Sequence, residues 1–151
     1  MNFWNMLAEG AAATAAQIEV TPFTVWTEEA RASLPLWVQR WILFMLATFA
    51  AGLLFVKNHT AARWMVAAVV GSHLASAFFL FVLGPETLKV GVIAINHVVF
   101  WTPAAVYLAL KGAPGQSAPL YAAWRYLALG VAAFSLIFDF RDAGLFLFTR
   151  A

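Results

Sequence analysis

The chain has no cysteine. That absence removes disulfides, thiolate metal sites, covalently attached c-type haem and a cysteine nucleophile. Charge is also scarce, since Asp, Glu, Lys and Arg make up 11% of the residues where soluble proteins carry about 25%. Internal repeats and low-complexity stretches are missing, which argues against solenoid architectures and linker functions. No Gly-rich phosphate loop, Gly-x-Ser-x-Gly elbow or His-Glu-x-x-His occurs, and no stretch combines basic and aromatic residues as a nucleic-acid surface does. The expectation is a non-enzymatic protein with no nucleic-acid partner.

What the chain does contain is apolar. Its hydrophobic share is 64% and its mean hydropathy +0.82, against about 45–50% apolar residues in soluble domains. A membrane span needs roughly 20 residues to cross about 30 Å of hydrocarbon, so 151 residues hold four spans and a short tail. Irregular backbone cannot face lipid, so the apolar runs are expected to be helices. They fall at about 36–56, 64–83, 90–110 and 120–138 or longer, separated by Lys57-Asn58-His59-Thr60, by Gly84-Pro85 and by the Gly/Pro/Ser-rich stretch Gly112–Pro119. Ser33 and Pro35 suit the start of the first. The expected fold is therefore an all-α integral membrane protein: a four-transmembrane-helix bundle over residues 35–151, preceded by an extramembrane, interfacial segment over 1–34.

That N-terminal segment has no basic stretch ahead of an apolar core and is interrupted by Glu9, so it is not read as a secretory signal. Phe3, Trp4, Met6 and Leu7, followed by alanines, suit a short amphipathic helix on the membrane surface. Thr27-Glu28-Glu29 suits the first turn of another. Trp37, Trp41, Trp64, Trp124 and Tyr126 lie near span ends, where amphipathic rings favour the headgroup level, and are read as anchors. His59, beside Lys57 and Arg63, is read as an exposed loop residue.

Charge sets the expected orientation. The breaks after spans one and three carry Lys57, Arg63, Lys111 and Arg125 with no acid, whereas Glu9, Glu19, Glu28, Glu29, Glu86, Asp139 and Asp142 all fall on the other side. Basic loops stay cytoplasmic, which gives N-out/C-out, although Arg31, Arg40, Lys89, Arg141 and Arg150 lie on the outer side. The alanine-rich composition fits a bacterial inner membrane.

Polar groups inside spans cost free energy unless paired, about 2.5–3.5 kcal/mol for a charge on insertion scales, so each asks for a partner or a role. His73 lies ten residues from Arg63 and His97 eight residues from Lys89, or about 15 and 12 Å from opposite faces at 1.5 Å per residue. The two imidazoles thus sit within a turn of one level on antiparallel neighbours. Gly71, Ser72, Ala75 and Ser76 around His73 let another helix approach closely. Asn96 precedes His97, and Trp101 shares the histidine's face at i+4, with an indole N–H that needs an acceptor. Pro103 leaves the Val99 carbonyl without its helical donor.

On the fourth run, Ser135, Asp139 and Asp142 form one stripe, with Asp139 fourteen residues beyond Arg125 and about 21 Å across, near the level of His97. Arg141 stands off the stripe and can pair with either carboxylate. If the helix stops at Phe138 the Phe-Asp-Phe-Arg-Asp cluster is an interfacial cap; if it continues into Ala143–Phe148 the cluster is buried at the membrane edge. The cap is favoured.

Three functions compete on these residues. The favoured one is an accessory or structural subunit of a larger membrane complex, or a homo-oligomeric module, in which the polar residues lock helices together and the Ala47/Ala51 and Ala128/Ala132 faces pack closely. In the second, His73 and His97 ligate a b-type haem for electron transfer, with Trp101 beside it. In the third, His73, Asn96, His97, Asp139 and Asp142 make a proton or small-molecule pathway, or His73, His97 and Asp139 bind a metal ion.

Overall fold

Leucine, phenylalanine, valine and alanine dominate the long runs, and without water a backbone in such surroundings satisfies its N–H and C=O groups within its own helix. The computed structural model describes residues 34–84, 87–113 and 118–148, and every long element among them is a helix. The expected interfacial segment lies outside the described residues up to position 33, as do Glu86 and part of the stretch between the third and fourth runs.

The helices are α1 (Leu36–Ala51), prolonged by a 3₁₀ turn Gly52–Leu54; α2 (Thr60–Phe78), prolonged by a π-helical turn Phe79–Leu83; α3 (Val90–Lys111); and α4 (Pro119–Phe148). Three stretches are long and apolar enough to cross a membrane: Leu36–Leu54, Thr60–Leu83 and Val90–Lys111. The longest helix, α4, has 30 residues and carries Arg125, Asp139, Arg141 and Asp142 within it.

The first helix, with its 3₁₀ turn, ends at Leu54, short of the expected 56, and two other boundaries differ from the sequence expectation. The second helix starts at Thr60 rather than about four residues later, because the His59 carbonyl accepts the N–H groups of Ala62 and Arg63 while the Arg63 guanidinium donates to Thr60 Oγ1 at 3.1 Å. Polar side chains at a helix end pair locally, so the helix outruns its apolar stretch. The fourth helix does not stop at Phe138 but continues to Phe148, and the favoured cap reading of Phe-Asp-Phe-Arg-Asp is thereby corrected. The carboxylates are tolerated mid-helix because each has a partner inside the fold.

The central helix is α3, in contact with α2 on one side and α4 on the other, while α1 packs against α4 and α2. The core runs through Met45, Phe49, Met65, Trp101, Leu108, Trp124, Ala128 and Ala132. Ala128 and Ala132 are fully buried, as their spacing implied, but Ala47 is exposed. The helix α1 instead turns Met45, Thr48 and Phe49 inward, because its bulkier side chains fill the space beside Trp101 and Trp124. Outward-facing residues are large and apolar, among them Leu54, Leu74, Phe81, Leu110 and Leu120.

Candidate functional site

Small residues on α2 set the site by admitting α3. A Cβ added at Gly71 would stand 2.9 Å from the Phe100 ring, so glycine there allows the close approach that puts polar side chains of the two helices within reach. Next to it, Ser72 Oγ accepts the Trp101 indole N–H at 2.9 Å and itself donates to the Val69 carbonyl at 2.9 Å. One turn on, Ser76 Oγ accepts from Asn96 Nδ2 at 3.2 Å and donates to the Ser72 carbonyl at 3.0 Å. Each serine thus spends its proton on its own helix and its lone pair on α3. Trp101, Ser72 and Asn96 are all buried.

His97 stands one turn from Trp101, and their rings stack with centroids 4.1 Å apart and planes 19° from parallel. Across the α3–α4 interface its Nδ1 lies 3.2 Å from both carboxylate oxygens of Asp139, with the two side chains 17% and 16% exposed. A carboxylate accepts, so Nδ1–H is the donor. The chain Asp139–His97–Trp101–Ser72 therefore ties α4 to α3 and α3 to α2 through one continuous set of side chains. Among the described residues, Thr102 Oγ1 is the buried side-chain polar atom left without a partner.

The remaining candidates separate. Ser135 shares a stripe with Asp139 but faces α1, accepting the Trp41 indole N–H at 3.3 Å and lying 3.5 Å from Met45 Sδ. Arg141 pairs with its neighbour Asp142 at 3.3 Å, with the arginine half exposed and the aspartate buried. His73 turns away from the network: its Nδ1 lies 2.8 Å from the Val69 carbonyl on its own helix, and the ring lines a groove between α1 and α2 of about 510 Å³. His97 is not among the residues lining that groove. Among the described residues no group of three or more His, Asp or Glu side chains is placed to hold a metal ion, so the His73–His97–Asp139 metal set is not assembled. Spacing put the histidines at one depth, but depth does not fix the azimuth, and His73 points toward α1 while His97 points toward α4.

Several residues that pattern alone assigned to membrane anchoring or loops are structural. Trp124 is buried and donates its N–H to the Thr48 carbonyl at 2.9 Å. Arg125 is also buried, and its guanidinium closes the C-terminus of α3 by donating to the carbonyls of Leu108 at 3.1 Å and Ala109 at 2.7 Å. The Leu108 carbonyl also accepts the N–H of the C-cap residue Gly112 at 3.1 Å, and a cation suits the negative end of the helix dipole. His59 stacks on Tyr121 with centroids 3.6 Å apart and planes 7° from parallel, so it is packed rather than displayed to solvent. Trp64 and Tyr126 remain outward and exposed, as anchors would be. The available signal was that a long cation or indole near a helix end must find acceptors, which carbonyls toward the end of a neighbouring helix supply.

Comparison with protein-family models, curated proteins and solved structures gives no match for this chain.

Proposed function

We propose that this chain is a four-helix membrane protein acting as a non-enzymatic accessory subunit or homo-oligomeric module, seated in a bacterial inner membrane with both termini outside. The observation that carries the reading is the allocation of polar groups: Ser72, Ser76, Asn96, Trp101, His97 and Asp139 are bonded to one another across α2, α3 and α4. Side chains joined in this way hold helices in register. Large apolar residues face outward on every helix and supply the surface that lipid or partner subunits cover. In this reading α4 is the fourth span. At about 1.5 Å per residue its 30 residues reach about 45 Å, long enough to cross the hydrocarbon and leave Arg141 at its edge.

Purification in mild detergent tests the role. The reading predicts either co-purifying membrane subunits or a protein mass, by light scattering, that is a multiple of 16.5 kDa. A lone monomer with a Soret band lost on His73→Leu and His97→Leu substitution would replace it with the haem reading. Reporter cysteines test orientation, because the native chain has none: Asn58→Cys and Ala113→Cys, both at exposed positions, label from the cytoplasmic side only.

A second reading has its own support in the His97–Asp139 pair. A partly exposed imidazole backed by a carboxylate is the unit that proton pathways use. Proton leak through proteoliposomes that falls in Asp139→Asn and in His97→Gln would favour it over a purely structural role.

A further inference from the structure

A second groove, between α2 and α3, differs from the one beside His73 in what stands at its end. Trp64, Ala67, Phe100, Pro103, Ala104 and Tyr107 are among the residues lining its volume of about 430 Å³. Small side chains on both helices leave the space, and Trp64 and Tyr107 meet at its basic end with ring centroids 6.0 Å apart. Trp64, Phe100 and Tyr107 are exposed on the outer surface, so the groove opens sideways, away from the core. Tyr107 and Phe100 lie four and eleven residues before Lys111, which sets the groove between about 6 and 16 Å from that end at 1.5 Å per residue. One leaflet takes up roughly half of about 30 Å of hydrocarbon, so this slot has the depth of lipid chains in a single leaflet.

Two cations flank the aromatic end. Arg63 precedes Trp64 and shares a helix face with Ala67 at i+4, while Lys111 stands at i+4 from Tyr107 and i+7 from Ala104. Both are exposed. No Asp or Glu occurs between Glu29 and Glu86 or between Glu86 and Asp139, so neither the two helices nor the loops at this end carry a carboxylate to neutralise them. The hydrogen bond from Arg63 goes to a neutral hydroxyl, Thr60 Oγ1. An apolar slot that ends in an indole, a phenol and two cations is complementary to a molecule with an apolar chain and an anionic head. Basic pockets between membrane helices on the cytoplasmic side hold such headgroups.

We infer that the α2–α3 groove holds one anionic phospholipid, with an acyl chain along Ala67, Phe100 and Pro103 and the phosphate between Arg63 and Lys111. The guanidinium fork and the ammonium point charge both suit phosphate oxygens. A zwitterionic lipid offers the same chains, but its own ammonium is repelled by the two cations, so charge selects the occupant. The inference rests on the membrane location proposed above. It does not depend on which side is cytoplasmic, because the groove and its cations share one end of the bundle.

Native mass spectrometry of the full chain released from detergent, titrated with phosphatidylglycerol or with phosphatidylcholine of the same chains, tests the inference. The native protein should retain one phosphatidylglycerol at least fivefold more tightly than phosphatidylcholine. Arg63→Gln and Lys111→Gln should each weaken phosphatidylglycerol about fivefold, the worth of one basic residue at an anionic surface, and the double variant should lose the preference. Lys57→Gln, which removes an exposed cation on neither groove helix, should keep it. Ala67→Phe, at an exposed position on the groove wall, should weaken both lipids by filling the slot. Equal affinity for the two lipids, a preference that survives the double variant, or a loss in Lys57→Gln as large as in Arg63→Gln would each overturn the site. Flotation on phosphatidylcholine vesicles separates the two levels of the inference: a chain that floats without a lipid preference overturns the site alone, and one that does not float overturns the membrane location and the site with it.

Discussion

The α2–α3–α4 interface and the α1–α2 groove are built from similar helices, yet they use polar residues in opposite ways. At the interface, serine, asparagine, tryptophan, histidine and aspartate reach across to a different helix, and glycine and alanine bring the backbones close. In the groove the polar ring of His73 bonds within its own helix and the facing walls leave space. Between apolar helices in lipid there is no hydrophobic force to favour association, so packing and cross-helix hydrogen bonds supply it. The contrast teaches where the helices are closely joined and where volume is left: cross-helix bonds tie α2, α3 and α4 together, and the open volume lies between α1 and α2.

Breaking the closely joined side should cost most. Trp101 is fully buried, stacks on His97 and donates to Ser72; Trp101→Ala removes a large side chain and leaves Ser72 without its donor, for an expected loss of about 3–5 kcal/mol, measured by thermal or denaturant unfolding in detergent. A smaller effect is expected at Gly91, where an added Cβ would collide with the Phe146 side chain. Gly91→Ala should cost about 1–3 kcal/mol through overpacking, whereas Gly130→Ala, with nothing within 4 Å of the new Cβ, should be neutral or slightly stabilising because alanine favours helix. On the open side, Ala50→Leu adds apolar volume to existing space, and unfolding should move by less than about 0.5 kcal/mol. A groove substitution as damaging as Gly91→Ala would erase the distinction between the two regions.

Much of the architecture was legible in the residues. Runs of apolar side chains placed α3 almost to the residue and the start of α1 at Leu36, whereas α1 ends at Ala51 and its 3₁₀ turn at Leu54, short of the expected 56. The i+4 relation put Trp101 on the face of His97 and a buried indole needs an acceptor, but the ring stack and the identity of that acceptor, Ser72, came from the structure. Helical rise put Asp139 near the level of His97, but the residue pattern offered Arg141 as the partner of the carboxylates and not the histidine that Asp139 meets. What the pattern did not carry was rotation about the helix axes. Helical rise gives depth from a count of residues, but which neighbour a residue faces depends on how all four helices pack, so His73 and His97 looked like partners and are not placed as such. The same limit hid Trp124 and Arg125, whose acceptors lie 76 and 17 residues away in sequence. The pattern leaves the end of α4 between Phe138 and a longer helix and favours the cap because charge suggests a terminus, whereas the helix runs to Phe148.

The central claim is that polar side chains of α2, α3 and α4 hold the bundle together through bonds between helices, and the most direct measurement is a double-mutant cycle on His97→Leu and Asp139→Leu by reversible unfolding in detergent. The two side chains lie 3.2 Å apart on different helices, so the account predicts a coupling of about 1–2 kcal/mol, toward the upper end of what hydrogen bonds between membrane helices supply. Strictly additive effects of the two substitutions would contradict it, since they would mean that the pair does not join α3 to α4.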